Sequence, residues 1–357
     1  MPDQKLIISH KPQINISCPS SGRMWLIFGC AFLCVLQSAF SDGLKSLVIA
    51  ATAVFTAVLT EFLLTFRKSG AEKIKDGSSA AAAMILSVLL PNQIHPVHVF
   101  FAAFFAIAVI KYSFGGLGSN WLNPALGGWL MIRFSWPAAF KQALGDSASS
   151  VSELVLSGDS SALDYSVTGF FNSSVFSAAG VHLPSGYIDL LFFKGAGIIT
   201  DRGLLALLAG TIIITAIGIN RGWIPLAFLA VYGFLIRFAG DLSGIYWNGD
   251  VLYGFFSGGT IAAAFILAAE PSSGARLRGG VLFTVILGAV LSWFFRYKCM
   301  EYSGCFIALA FTNCLTPLIR VFEDKFFIKR DYRDENGKFR PFKFRFEDSA
   351  GVRENLL

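Results

Sequence analysis

Charge is scarce in this sequence. Asp, Glu, Lys and Arg make up 15% of its 357 residues, against about 25% in a typical soluble chain. Apolar residues make up 54% and come in blocks with the charges between them, which excludes an ordinary soluble globular domain. Histidine is scarce: His10, His95, His98 and His182 are scattered and loop-associated. The six cysteines include no C-x-x-C pair and no Cys/His set at metal-ligand spacing, which argues against a zinc or dithiol centre. Cys30, Cys34, Cys299, Cys305 and Cys314 are read as small apolar fillers. No G-x-G-x-x-G follows a strand-like run, so no dinucleotide-binding βαβ unit is expected. Residues 1–23 are polar, with Lys5, Lys11 and Arg23, and no small-x-small site follows the first apolar run. That run is therefore expected to be a retained helix, not a cleaved signal peptide.

What is abundant is apolar length, together with 36 Phe and 35 Gly. This mixture suits helices that pack through small residues and turn aromatic surfaces to lipid. Measured against the roughly 20 residues that span a bilayer, the runs 24–40, 47–66, 97–112, 204–219, 223–238, 281–295 and 305–319 are spans. Shorter apolar pieces lie at 79–90, 125–134, 187–193, 245–256 and 259–269, bounded by Gly or Pro. The expected fold class is an all-α polytopic membrane protein of about ten transmembrane segments, some of them broken half-helices.

Lysine and arginine set the expected orientation. The 41–46 turn has one Lys, whereas 67–75 carries Arg67, Lys68, Lys73 and Lys75. The tail carries Lys325, Lys329, Arg330, Arg333, Lys338, Arg340, Lys343 and Arg345. The 135–185 region has Lys141 against Asp146, Glu153, Asp159 and Asp164. Both termini and the 67–75 loop are therefore expected in the cytoplasm and the 135–185 loop outside. The net charge of +6 is a topology signal, not a nucleic-acid footprint. The expected division is a cytoplasmic tail 1–23, a first membrane repeat 24–134, an outer loop 135–186, a second repeat 187–320 and a cytoplasmic tail 321–357.

The two halves resemble each other. Gly77-Ser78-Ser79-Ala80-Ala81-Ala82 sits beside Gly259-Thr260-Ile261-Ala262-Ala263-Ala264, and each run soon reaches a proline, Pro91 or Pro271. Each is followed by a full span, a Gly-containing turn (114–118; Ser303-Gly304) and an Asn near a Pro (Asn123-Pro124; Asn313 and Pro317). Paired short, Gly/Pro-interrupted segments mark an internal inverted repeat with a site at the repeat interface. Irregular backbone survives at membrane depth only where it faces protein, water or a ligand.

Several stretches resemble the RnfD/NqrB family: Asp76-Gly77-Ser78, Leu90-Pro91, and above all Lys111-Tyr112-Ser113-Phe114-Gly115-Gly116-Leu117-Gly118-Ser119-Asn120-Trp121-Leu122-Asn123-Pro124-Ala125. The run from Gly258-Gly259-Thr260 to Ala269-Glu270-Pro271 is similar to the family's GGGT…ATDP segment, with Glu270 where Asp is usual. Lys11-Pro12 and Met24-Trp25 resemble the family's opening. The resemblance covers roughly residues 10–325. It implies a flavin-bearing membrane subunit of an Rnf/Nqr-type complex of the bacterial inner membrane, which couples electron transfer to Na⁺ or H⁺ export. It also implies a urea-transporter-like inverted-repeat fold, FMN and also riboflavin as cofactors, and other subunits as partners, especially the outer-face flavin subunit. NADH oxidation falls to another subunit. The alternative is a stand-alone channel or permease of the same fold without flavin.

The resemblance also directs attention to particular residues. The glycines Gly115, Gly116 and Gly118 allow positive φ, so their amides either face a flavin or serve a tight helix crossing. Asn120 and Asn123 either cap helix ends or bond an isoalloxazine edge. Glu61 and Glu270 are acids in or beside apolar runs, where an unpaired carboxylate is costly, and are ion-path candidates; Glu61 alternatively reaches the interface near Arg67. Asp76 joins them, or serves only as an N-cap. Family members esterify FMN to the last Thr of an S/T-G-A-T motif in the outer loop. The matching place reads Val167-Thr168-Gly169-Phe170-Phe171, and a Phe ring forms no phosphoester. FMN is then non-covalent or missing, or a neighbouring hydroxyl of Thr168, Ser173 or Ser174 has taken over; loss of the covalent bond is the favoured outcome. The charge asymmetry makes a first prediction: a reporter that works only in the cytoplasm should be silent when fused near Ser160, and activity there would overturn the topology.

Overall fold

The structure, a computed structural model, describes residues 20–66, 74–113, 115–116, 120–145, 169–170, 173–174, 187–192, 197–238, 249–270, 274–275 and 277–323. Among these residues it is mostly helical and has no strand; an isolated antiparallel bridge pairs Pro91 with Ile198. The first half contains α1 (Ser20–Asp42), α2 (Lys45–Thr65), α3 (Ser78–Leu89), α4 (Pro96–Phe105, continued by a π turn at Ala106–Lys111), α5 (Pro124–Ser135) and α6 (Pro137–Leu144). The second contains α7 (Tyr187–Leu191), α8 (Ile199–Arg202), α9 (Leu204–Ala216), α10 (Trp223–Phe238) and α11 (Val251–Phe256). It closes with α12 (Thr260–Ala262, continued by a π turn at Ala263–Leu267), α13 (Arg278–Trp293, with a π turn at Phe294–Lys298) and α14 (Gly304–Glu323).

Four helices among the described residues are long and apolar enough to cross a membrane: Ser21–Ser41, Lys45–Thr65, Arg278–Lys298 and Gly304–Glu323, each of 20 or 21 residues. At about 1.5 Å per residue they reach about 30 Å, the thickness of the hydrocarbon core. Four shorter apolar helices accompany them, Ser78–Leu89, Pro96–Lys111, Leu204–Ala216 and Trp223–Phe238. Phe40, Phe55, Leu63, Ile212, Leu226 and Phe283 are exposed, a ring of large apolar side chains that water would not tolerate and lipid does. The chain is a membrane protein.

Local chemistry explains where the helices start and stop. Proline opens α4, α5 and α6, where its missing N–H is no loss. The Asn123 side chain caps α5 by accepting from the amides of Ala125 (2.8 Å) and Leu126 (3.3 Å). The extended backbone of Leu90, ahead of Pro91, ends α3. Threonines on α2 would be unsatisfied in lipid, but Thr56, Thr60 and Thr65 each donate to the carbonyl four residues back.

The short α3 lies at the centre of the first half, with eleven of its twelve residues buried. Its alanines let α1, α2 and α5 approach closely. A helix that stops inside an apolar interior leaves carbonyls without partners. The segment around α8 supplies them: Ile199 N–H donates to Leu90 O (3.1 Å) and the Thr200 hydroxyl to Val88 O (2.6 Å). Where α1 crosses the start and middle of α9, Cys34 and Cys30 pack against Gly203 and Gly210, so these two cysteines are close-packed fillers.

Two places in the chain share local geometry. Gly77 and Gly259 precede α3 and α12, and both have φ of +70°. A Cβ at either would overlap an aromatic ring, Trp25 over Gly77 and Phe306 over Gly259. Each short helix is followed by a longer one that ends in a π turn carrying a buried basic residue, Lys111 or Arg296. Gly259→Ala is expected to cost about 1–3 kcal/mol, from left-handed strain plus overpacking. Gly43→Ala, at φ of +75° with nothing within 4 Å, should cost only the strain; equal Tm losses in the solubilised protein would refute the role of the Phe306 ring.

Candidate functional site

A cavity of about 220 Å³ opens where the N-terminal ends of α1, α3 and α5 meet the C-terminal ends of α4, α9 and α12. Met24, Ile27, Ala81, Ile85, Ile214 and Ile266 give it apolar walls. Its polar groups are Arg23, Ser78, Lys111, Asn120, Asn123, Asn220 and Glu270.

Three carboxamides line it, two of them held by hydrogen bonds to other elements. Asn123 spends its Oδ1 on the cap of α5, which leaves its Nδ2 to donate to the Glu270 carboxylate across the two halves. Asn220 follows α9, and its Nδ2 donates to Phe265 O (2.7 Å), a carbonyl within the π turn of α12. Asn120 is 5% exposed, and its Oδ1 has no hydrogen-bond partner among the described residues. A buried acceptor left unmet costs about 1–3 kcal/mol, so it marks a place where a donor belongs.

Lys111 contributes the buried charge. It ends the π turn of α4, where Tyr112 N–H reaches Ile107 O (3.0 Å), five residues back. Its ammonium donates to Glu61 Oε1 (2.8 Å), Ser78 Oγ (2.6 Å) and Ser79 Oγ (2.7 Å). Glu61 is 2% exposed and also accepts from the Tyr112 hydroxyl (2.7 Å). Removing one member of such a pair costs about 3–5 kcal/mol, because the other charge is stranded. Asp76 accepts from the Ser78 amide (2.8 Å) and hydroxyl (2.7 Å) and so caps α3.

Of the residues expected from sequence, the structure brings Asn120, Asn123 and Glu270 to one cavity and places Glu61 just behind it, bonded to Lys111. Arg67 lies outside the described residues. Gly115 (φ +107°) and Gly116 (φ +92°) do not line the cavity. Their amides donate to Tyr112 O and Lys111 O, closing the turn that positions Lys111. Gly118, Thr168 and Phe171 lie outside the described residues. Ser173 and Ser174 are exposed, with the Ser173 hydroxyl on Phe170 O (3.2 Å). Glu270 also borders a second cavity of about 20 Å³, walled in part by Thr284, Thr312, Asn313 and Thr316. Among the described residues no three His, Cys, Asp or Glu side chains come together as a metal site.

Sequence reasoning missed a second buried charge centre at the start of α12. Arg296 is fully buried. It donates through Nη1 to Tyr232 Oη, Gly254 O, Ser257 O and Thr260 Oγ1 (2.8–3.0 Å), and through Nη2 to Ser257 Oγ (2.6 Å). Asp201 accepts from the Gly258 and Gly259 amides (2.9 Å each) and the Tyr302 hydroxyl (2.5 Å), holding the helix start as a carboxylate should. The only sequence signals for these two residues were isolated charges beside apolar runs.

Comparison with known proteins gives the family. Residues 7–329 match the NQR2, RnfD, RnfE family. The chain is 28% identical over 336 residues to the D-type subunit of the proton-translocating ferredoxin:NAD⁺ oxidoreductase complex of Clostridium ljungdahlii, covering 89% of this chain and 93% of that one. It is 30% identical over 311 residues to the D-type subunit of an ion-translocating oxidoreductase complex of Alcanivorax borkumensis, covering 84% and 88%. It is 24% identical over 327 residues to the D-type subunit of the Na⁺-translocating ferredoxin:NAD⁺ oxidoreductase complex of Acetobacterium woodii, covering 90% and 95%.

Proposed function

The chain belongs to the NQR2, RnfD, RnfE family, and from that premise we propose that it is the D-type membrane subunit of an Rnf-type complex coupling electron transfer to Na⁺ or H⁺ transport. The observation that carries this reading is the near full-length match to D-type subunits of ion-translocating oxidoreductase complexes. It favours the redox-driven translocase over a stand-alone channel or permease.

The cavity suits the ring system of a flavin such as riboflavin or FMN. Apolar walls exclude water from a flat aromatic ring, and the unmet Asn120 Oδ1 suits the one ring N–H that an oxidised isoalloxazine offers. Asn123 and Asn220 flank it with carboxamides whose orientations are set by Glu270 and Phe265 O. A flavin bound there supplies a carrier that accepts electrons singly or in pairs. Lys111 places a buried positive charge on the cavity wall. The cavity flavin is held without a covalent bond. In the outer loop Phe171 removes the usual acceptor hydroxyl, so FMN there is non-covalent or missing, or is carried by Thr168, Ser173 or Ser174.

The ion path runs past Glu61, Asp76 and Glu270, carboxylates at the edge of or inside the apolar region. The supporting architecture is an inverted repeat of about ten spans, urea-transporter-like, with 76–134 and 258–320 as equivalent units. Both termini face the cytoplasm of a bacterial inner membrane, and an outer-face flavin subunit is one partner. The matched left-handed glycines, π turns and buried cations of the two halves support this arrangement.

Two variants test the assignment in the intact complex. Asn120→Ala should weaken non-covalent flavin binding by about tenfold, the worth of one hydrogen bond, read as flavin released on extraction and washing. Undiminished flavin would remove the cavity from the cofactor path. Glu270→Gln keeps an acceptor for Asn123 and loses the charge, so flavin content should hold while ions moved per electron fall. Unchanged transport would reduce Glu270 to a structural contact.

A further inference from the structure

The surroundings of Lys111 have the make-up of a cation site. An ammonium has three hydrogens to donate, and all three are used, on one carboxylate oxygen and two hydroxyls. Glu61, Ser78 and Ser79 are each at most 5% exposed, so the cage is buried. Its oxygens and single negative charge are what a hard monovalent cation takes. The Tyr112 hydroxyl bonds the same Glu61 oxygen and holds it in place whichever cation sits there. Lys111 and Ser78 both line the cavity, so the ammonium and one wall of the cage border it directly.

We propose that Glu61, Ser78 and Ser79 form a binding site for Na⁺, and that the Lys111 ammonium is a tethered occupant that exchanges with it. The proposal rests on the reading of Glu61 as part of the ion path. A carboxylate cannot be left unpaired at this depth, so departure of the ammonium and arrival of the ion are obligatorily linked, and each biases the other reciprocally. The corresponding cation of the second half behaves differently in its contacts. Arg296 spreads five bonds over two carbonyls and three hydroxyls and makes none to a carboxylate. A rigid guanidinium fork in that setting is a fixed strut, whereas a lysine is a point charge on a flexible stem.

The test uses the purified complex, with NaCl or choline chloride at constant ionic strength, and reads the Tm of this subunit. Lys111→Met should give a saturable Na⁺-dependent rise in Tm larger than the wild type shows, because its Glu61 is stranded. Glu61→Gln/Lys111→Met should lose that rise, having no charge to compensate. A Lys111→Met complex that assembles only in Na⁺ also supports the site. The proposal is overturned if Lys111→Met responds to Na⁺ no more than wild type, stays misassembled at every Na⁺ concentration, or follows pH alone. It is equally overturned if the double variant keeps the full response. Ion transport by Glu61→Gln in turnover is a separate measurement: undiminished transport removes Glu61 from the ion path and leaves the Tm comparison to decide the cage.

Discussion

The rest of this structure depends on how two short helices are allowed to begin with buried amides. The exposed amides at a helix start carry partial positive charge and require acceptors, and lipid offers none. At α3 the acceptor is Asp76, two residues from Ser78 in sequence. At α12 it is Asp201, brought by a different helix more than fifty residues away. A second constraint then arises, because a buried cation lies beside each start. Lys111 is balanced by Glu61, whereas Arg296 is bonded to neutral oxygens with Asp201 across the glycine turn. These two clusters fix the short helices, and the short helices fix the cavity.

Besides the packing of α1 on α9 and the capping of α3 by α8, the halves are tied through α5. Asn123 on α5 meets Glu270 after α12. Arg133 near the end of α5 forms a two-pronged pair with Glu301 ahead of α14 (2.9 and 2.6 Å). Between these polar contacts the Trp129 and Phe306 rings meet edge to face at 5.3 Å. Phe306 is the ring that roofs Gly259, so the aromatic contact between halves and the left-handed start of α12 are one packing unit.

Much of this was legible in the sequence. Apolar runs located most of the longer helices, and the hydroxyl-opened, Ala-rich runs after Gly77 and Gly259 announced the paired short segments; α6 lies in a stretch read as a polar loop. Asn123 before Pro124 signalled a helix cap. What could not be read were partnerships across long separations. Glu61 and Lys111 are 50 residues apart, and each alone reads as a charge at the edge of a span. Asn220 looks like an ordinary turn residue until its amide is seen on Phe265 O. Gly115 and Gly116 were open in sequence between facing a flavin and serving a tight helix crossing; their amides close a backbone turn. Period-based reading assumes 3.6 residues per turn throughout, and the π turns of α4, α12 and α13 break that assumption at the residues that matter.

Those turns have a geometric consequence. Each π turn holds one residue more than a regular ladder of i to i−4 bonds would accommodate. Drawing it out into plain α-helix would turn everything beyond it by about 100°. For α4 that rotation would carry Lys111 off the inward face and towards the bilayer, away from Glu61 and the two serines. The inward position of the ammonium is thus encoded not by the identity of its neighbours but by a count. One surplus residue in 106–111 acts as a phase shift, and the charge faces the interior only while that shift is kept.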